Sequence, residues 1–395
     1  MRDWPLMLLI ILSVSACDGE SGRMDPDVMV TDSAGVVIVE NTSDPDDPGV
    51  LALTGQPVLR LGSDDSEAPD FFGRVTSAHF DPRGNLWVVD AMSAEVRVFS
   101  APSGEHLFTL GGRGQGPGEF QMPFPVGFDD EKVWIWDQNL GRVSVFTLEG
   151  ELLETERVGE ERQIIPRLLH RTLEGKFVAQ LPQSMASPVE EGTLIHDTIR
   201  VWQFETDVSE AELLTTRRGV TWYFAEGMQV PVPFAQGTRF AVREGRVVST
   251  DPDGAPVLDV VEDGRLARRI RVERERLPVT PRTIERELES PVRSEAAQEI
   301  VRAHRSRLPI PDLLPTWEWV RIGSSGHVFA LRYGGLLAEE IWDVFDPEGA
   351  LVGSVALPTE AHLVDANHRY LVLMEMPALR GPGISLYAFN EAWKP

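Results

Sequence analysis

A six-bladed β-propeller is the fold that this 395-residue sequence predicts, and three observations predict it. The first is a repeated unit of paired apolar runs. Gly84-Asn85-Leu86-Trp87-Val88-Val89-Asp90 precedes Val96-Arg97-Val98-Phe99, and Val133-Trp134-Ile135-Trp136-Asp137 precedes Val143-Ser144-Val145-Phe146, with Asp137 following Asp90 by 47 positions. Strand-like units at such a period cannot each bury an apolar face alone, so they must stack on their neighbours. The second is the number of copies. Central hairpins start near Gly84, Glu131, Gly175, Gly245, Gly326 and Asn367. The third is a closure signal. Val58-Leu59-Arg60-Leu61-Gly62 before Phe71 matches Leu107-Phe108-Thr109-Leu110-Gly111 before Phe120. The N-terminal copy has an outer strand and no inner ones, while the sixth hairpin runs out of chain after Phe389, so each end completes the other and leaves no open edge.

Within each unit the second strand of the hairpin falls at Val96–Phe99, Val143–Phe146, Ile199–Trp202, Val257–Val260, Trp342–Phe345 and Ile384–Tyr387. Turn glycines at 104, 150, 264 and 349 lead to outer strands such as His106–Leu110 and Leu351–Leu357. Asp81-Pro82-Arg83-Gly84 and Asp346-Pro347-Glu348-Gly349 fit type I turns, with Asp first, Pro second and Gly fourth. Asp90, Asp137 and Asp251 share one repeat position, which points to capping of the turn that follows the strand. Arg332 replaces the acid in the fifth copy and Leu181 in the third.

Connections between the two central strands are short in copies one, two and four. They lengthen to Pro182–Thr198, Tyr333–Ile341 and Glu375–Gly383 in copies three, five and six, and a further insertion, Thr280–Leu314, separates copies four and five. In a four-stranded blade the second connection and the crossover to the next blade leave from the same end. The insertions therefore gather on one face, which predicts binding there. The 280–314 insertion reads as two helices. Thr280-Pro281 makes an N-cap and first turn, Ile284 and Leu288 lie one turn apart, and Ser290-Pro291 restarts a segment carrying Val292, Ala296 and Ile300. Packing on the rim and closing over the channel as a lid are both open to such a pair.

The formal charge is −25, from 62 acidic and 37 basic residues. That balance opposes binding to nucleic acid or to bare anionic lipid. At the N-terminus, Arg2 precedes an apolar stretch from Trp4 to Val14, too short for a membrane span but suited to a signal-peptide core. Val14-Ser15-Ala16-Cys17 then places small residues before the one cysteine of the sequence. Residues 1–17 resemble a bacterial lipoprotein signal and lipobox, which implies acylation of Cys17 and a lipid-anchored domain in the cell envelope, outside the cytoplasm. Residues 18–27 are small, polar and Pro-containing, a flexible tether, and 28–395 form the propeller with its insertion at 280–314. With Cys17 committed to lipid, the body has no thiol for disulfides, nucleophilic catalysis or zinc.

Gly116-Pro117-Gly118-Glu119-Phe120, the segment Asp137-Gln138-Asn139-Leu140-Gly141-Arg142-Val143-Ser144-Val145-Phe146 and Gly150 resemble the connector, strand turn and closing glycine of NHL-type repeats and of the wider six-bladed, TolB-like propellers. Asp32-Ser33-Ala34-Gly35-Val36 through Asn41 resembles the opening of bacterial lipoproteins of that type. The resemblance implies the fold. Members of the group include interaction scaffolds, lactonases and amidating lyases.

The glycine run Gly111–Gly118 has neither G-x-G-x-x-G nor a Walker lysine, and precedes strands, so it reads as a connector in which Arg113 is a candidate anion contact. Gly323-Ser324-Ser325-Gly326 lacks nucleophile-elbow spacing and reads as a turn. His196 beside Asp197 offers a polar pair on the insertion-rich face, although adjacent side chains point apart. These three residues and Arg332 are the candidate binding residues of a non-catalytic module that takes a protein or small ligand and no cofactor. The alternative is a metal-dependent hydrolase or lyase, lactonase-like or amidating-lyase-like, holding calcium or zinc through His79, Glu318, His362 and Asp365 on or near inner strands.

Overall fold

The computed structural model describes residues 27–42, 51–159, 166, 168–181, 190–289, 294–333, 339–358, 361–375 and 381–390. Cys17, its signal segment and the tether up to residue 26 lie outside the described residues, as do residues 182–189, 334–338 and 376–380 of the lengthened connections.

Among the described residues, six sheets follow one another along the chain, each built around four antiparallel strands. The first holds Val75–Phe80, Leu86–Asp90, Glu95–Phe99 and His106–Gly111, and the second Pro123–Phe128, Lys132–Asp137, Arg142–Thr147 and Leu152–Arg157. The third runs through Leu168–Arg171, Phe177–Gln180, Leu194–Phe204 and Glu212–Ala225, and adds a fifth strand, Met228–Pro231. The fourth contains Phe240–Arg243, Arg246–Thr250, Val257–Glu262 and Arg265–Val272, and the fifth Trp317–Ile322, Val328–Arg332, Glu339–Phe345 and Leu351–Pro358. Ala361–Ala366, Tyr370–Glu375 and Gly383–Ala388 make the sixth, whose outer strand is Leu59–Leu61 from the other end of the chain. Ile384 pairs Leu61, and Leu386 pairs Leu59.

Apolar side chains on both faces of the central strands explain why these sheets stack. Trp87, Val89 and Val96 of the first sheet pack with Val133, Ile135 and Phe146 of the second, and Trp134, Trp136 and Val145 with Phe177, Ala179 and Phe204 of the third. Val178 and Val201 meet Val242 and Val247, and Val248, Leu258 and Ile270 meet Trp317, Val320 and Val328. Phe329 and Val344 meet Leu363 and Leu371, and Val372 and Leu386 return to Ala78 and Leu86 of the first sheet. Each central strand is covered on both sides, which is why it reads as a continuous apolar run.

Turn chemistry sets the registers. Gly84 N donates to Asp81 O and Gly349 N to Asp346 O, both at 3.0 Å, and both glycines have positive φ, 85° and 95°. Asp137 accepts from Gln121 N and Met122 N with one oxygen and from Asn139 N and Leu140 N with the other. Asp90 similarly takes Gly73 N, Arg74 N and Met92 N, and Asp251 takes Asp253 N and Ala255 N. Burial alone would raise the Asp90 carboxyl, but those backbone donors and Ser93 hold it below the usual range.

The fifth sheet solves the same problem with different residues. Where the first, second and fourth copies carry an aspartate, Arg332 donates from Nε to Asp343 Oδ1 at 2.8 Å. The carboxylate of Asp343 has no exposed surface, and it also accepts from Trp317 Nε1 at 2.8 Å and from both terminal nitrogens of Arg274. The acid has moved one strand over, and a buried ion cluster replaces the capped turn.

Two additions depart from the repeat. Val28–Ser33 and Val36–Asn41 form a hairpin whose second strand runs parallel to Arg265–Val272, extending the fourth sheet. Buried Asn41 ties this strand to the fifth sheet, donating to Gly349 O and accepting from Leu351 N. The 280–314 insertion forms two helices, α1 (Pro281–Glu289) and α2 (Glu295–His304). They pack on Tyr223, Ala225 and Val230 of the third sheet and on Phe234 just beyond it, through Ile284, Leu288, Ala297, Ile300 and Val301. Ala296, expected on the buried stripe, is exposed. The helix starts at the Ser294 cap, whose hydroxyl accepts from Ala297 N, and that phase turns Ala297 inward. Val292 lies outside the described residues.

Candidate functional site

The first strand of each sheet has one neighbour in its own sheet, so its free side faces the middle of the assembly. A cavity of about 920 Å³ lies there, lined from the strands Val75–Phe80, Pro123–Phe128, Leu168–Arg171, Phe240–Arg243, Trp317–Ile322 and Ala361–Ala366. Its lining continues onto the turns between first and second strands, including Asp81 to Gly84, Ser324 with Ser325, and Asn367 to Tyr370. Those turns stand at the end opposite to the inserted connections. The insertions predict binding on one face, and the described cavity opens on the other.

Strand alternation decides what faces the lumen. On Trp317–Ile322, Val320 and Ile322 are buried in the core while Trp319 and Arg321 are exposed to the cavity. Trp319 retains 49% of its surface, large for an indole on an innermost strand, and Arg239 lies over its ring at 4.8 Å. Arg243 comes from the fourth sheet, His79 from the first and His170 from the third.

Asp365 organises the floor. Its side chain is wholly buried and accepts from Phe80 N at 3.0 Å, Ser324 N at 3.0 Å, Ala366 N at 2.8 Å and Arg243 Nη1 at 3.2 Å. His79 Nδ1 stands 3.8 Å from the same carboxylate. Burial outweighs the pull of Asp365 and, with Arg243 and Arg321 adding repulsion, lowers His79 to about 4. Burial, His79 and Arg243 together lower His170 to about 3. Both imidazoles are neutral at ordinary pH.

Arg321 is different. Its guanidinium makes no hydrogen bond or ion pair with any described residue. Burial lowers its pKa, and Asp365 opposes that shift only through space. Arg243 already engages Asp365, so among the described residues Arg321 has no carboxylate of its own in the lumen.

The candidates from sequence occupy several places. Arg113 donates to the Ala91 and Met92 carbonyls, His196 Nδ1 meets Thr221 Oγ1, Asp197 caps its neighbour Thr198 N, and Arg332 belongs to the Asp343 cluster. These four do not converge. The glycine run beside Arg113 is clamped by Arg142, which donates to the carbonyls of Gln115, Gly116 and Glu119, consistent with a connector. Of the metal-ligand candidates, His79 and Asp365 meet, whereas Glu318 and His362 lie at the far ends of their strands. Glu318 there is raised by burial and by Glu287, with Arg239 opposing. Among the described residues, no group of three or more His, Cys, Asp or Glu is arranged to hold a metal ion, so calcium or zinc finds no ready cage in these four.

Sequence reasoning missed Trp319, Arg321, Arg243 and His170. A signal was available: a predicted innermost strand with Trp and Arg two apart at alternate positions puts both on the lumen side.

No protein-family model matches the sequence, and no curated protein matches it. Several solved structures are similar in fold. A member of the DUF4221 family from Bacteroides vulgatus is 11% identical, with 86% of this chain and 97% of that one covered and a TM-score of 0.48. Regucalcin, a calcium-binding protein from Agrobacterium tumefaciens, is 12% identical over 87% and 97% of the two chains, with a TM-score of 0.33. A streptogramin B lyase is 8% identical over 82% and 95%, with a TM-score of 0.39. The six stacked sheets make this chain a predominantly β protein of propeller-like architecture.

Proposed function

We propose that this protein is a six-bladed propeller, closed by its N-terminal outer strand and lipid-anchored in the cell envelope through Cys17, that binds a small ligand in its central cavity without transforming it. The observation that carries the reading is the pair Trp319 and Arg321. An exposed indole and an unpaired guanidinium share one face of an innermost strand, inside a cavity large enough for a small molecule. Supporting the anchor is the order of the N-terminal signals, with the apolar core, the small residues and Cys17 in sequence.

Thermal unfolding of the full chain in detergent, screened against a small-molecule library, tests the location. Hits are expected to raise the midpoint of the wild-type protein and to lose that effect in Trp319→Ala, because a ligand at a hundredfold excess over its Kd adds about 2.7 kcal/mol. Hits that shift both proteins equally would place the ligand elsewhere and contradict the reading.

A further inference from the structure

The chemistry of the cavity goes further than its existence. Across the chain acids outnumber bases, 62 to 37, yet the cavity lining reverses this, with five arginines (Arg83, Arg171, Arg243, Arg321 and Arg369) against two acids, Asp81 and Glu244. Several of these arginines are occupied. Arg83 pairs with Glu149, Arg171 stacks on Trp134 at 4.1 Å, and Arg243 pairs with Asp365. Among the described residues, the guanidiniums of Arg321 and Arg369 have no hydrogen-bonded or ion-paired partner, and of the two only Arg321 stands on an innermost strand.

Arg321 is exposed to the cavity, and the nearby carboxylate, Asp365, is already engaged by hydrogen bonds from Phe80, Ser324, Ala366 and Arg243, so the guanidinium's donors are available to a ligand. The neighbouring imidazoles add donors or acceptors but no charge. A planar guanidinium with free edges is matched by an oxyanion, which it grips through two parallel hydrogen bonds. Trp319 stands two residues away on the same face, about 7 Å along the strand, and offers a flat apolar surface.

Resting on the proposal that a small ligand occupies this cavity, we infer that the ligand is an organic anion, with its carboxylate or phosphate on Arg321 and a flat apolar body against Trp319. Lactones and neutral sugars can accept from the guanidinium but leave its charge unbalanced, and cationic ligands are repelled by it.

Four probes test this on the full chain in detergent by calorimetric titration: 2-naphthoate, 2-naphthyl phosphate, the neutral 2-naphthamide, and inorganic phosphate as competitor. At least one of the two acids is expected to bind at least tenfold more tightly than the amide, and which one does so identifies the oxyanion. Arg321→Gln is expected to erase that preference while leaving the amide unchanged, and Arg321→Lys to keep part of it, since a point charge replaces the fork. Competition by inorganic phosphate supports the charge site directly. Equal binding of acids and amide, lost in Trp319→Ala, would leave the cavity as a binding site and overturn the anion. Failure of both acids to bind, or an acid preference that survives Arg321→Gln, also overturns it. Circular dichroism of the Gln variant, with Arg321→Lys alongside, separates lost binding from lost folding.

Discussion

Asp343→Ala is expected to destabilise the protein by about 3–5 kcal/mol, among the largest effects of any single substitution in this chain. The carboxylate is fully buried and holds two guanidiniums and an indole N–H, from Arg274, Arg332 and Trp317. Removing it strips two guanidiniums and an indole N–H of the buried carboxylate they share, and it is the loss of that acceptor that is costly. Chemical denaturation of wild type and variant measures the difference. Replacing Arg332 together with its partner, Arg332→Leu with Asp343→Leu, is expected to recover part of the loss, because one of the stranded guanidiniums then leaves with the carboxylate. Glu149→Ala, which breaks the exposed pair with Arg83, is expected to change nothing measurable. A loss from Asp343→Ala no larger than that control would refute the role assigned to the cluster.

Stability is also expected to fall steeply as pH drops below 6.5. His79 and His170 are held to about 4 and about 3 in the folded protein against 6.5 when unfolded. Above pH 6.5 both states carry neutral imidazoles and pH has no effect through them. Below it the unfolded chain takes up two protons that the folded one refuses, so unfolding becomes easier. The loss continues until about pH 4 for His79 and about pH 3 for His170. Each proton contributes roughly 1.4 kcal/mol per pH unit, so by pH 5 the pair has removed about 4 kcal/mol. The His79→Asn, His170→Asn double variant should flatten the stability profile between pH 6.5 and 4.5. An unchanged slope would show that these imidazoles titrate freely when folded.

Much of the scaffold was legible because its signals are local. Val133-Trp134-Ile135-Trp136-Asp137 announces a central strand through apolar run and stop, and Asp346-Pro347-Glu348-Gly349 a turn through its residue types. Even the long-range pairing of Leu59–Leu61 with Gly383–Ala388 could be read, because the missing inner strands at one end matched the missing outer strand at the other. The parallel addition of Val36–Asn41 to Arg265–Val272 could not, since edge pairing between strands so distant in sequence leaves no local mark. Neither could the docking of α1 and α2 on the third sheet, which depends on the extra strand Met228–Pro231 and its neighbours.

The candidate site was less legible for a related reason. Six strands, spread from Val75 to Ala366, each contribute to one cavity, so no spacing along the chain reveals that His79, His170, Arg243, Arg321 and Asp365 meet. Reasoning from the glycine run, the blade-three insertion and the missing acidic stop directed attention to Arg113, to His196 with Asp197, and to Arg332, whose side chains have internal partners in the described structure. The free guanidinium of Arg321 lies at the other end of the assembly. Loop length marks where a family varies, whereas an unpaired charge on an innermost strand marks where a partner is missing.

Hydrogen–deuterium exchange of the full chain, with and without the tightest ligand from the thermal screen, tests the central claim most directly. Protection is expected on the cavity-lining strands and turns, around residues 77–84, 240–244, 319–325 and 364–370, and not around Arg113, His196 or Arg332. Protection confined to those latter segments, with the cavity strands unchanged, would contradict the account and return the site to the insertion-rich face.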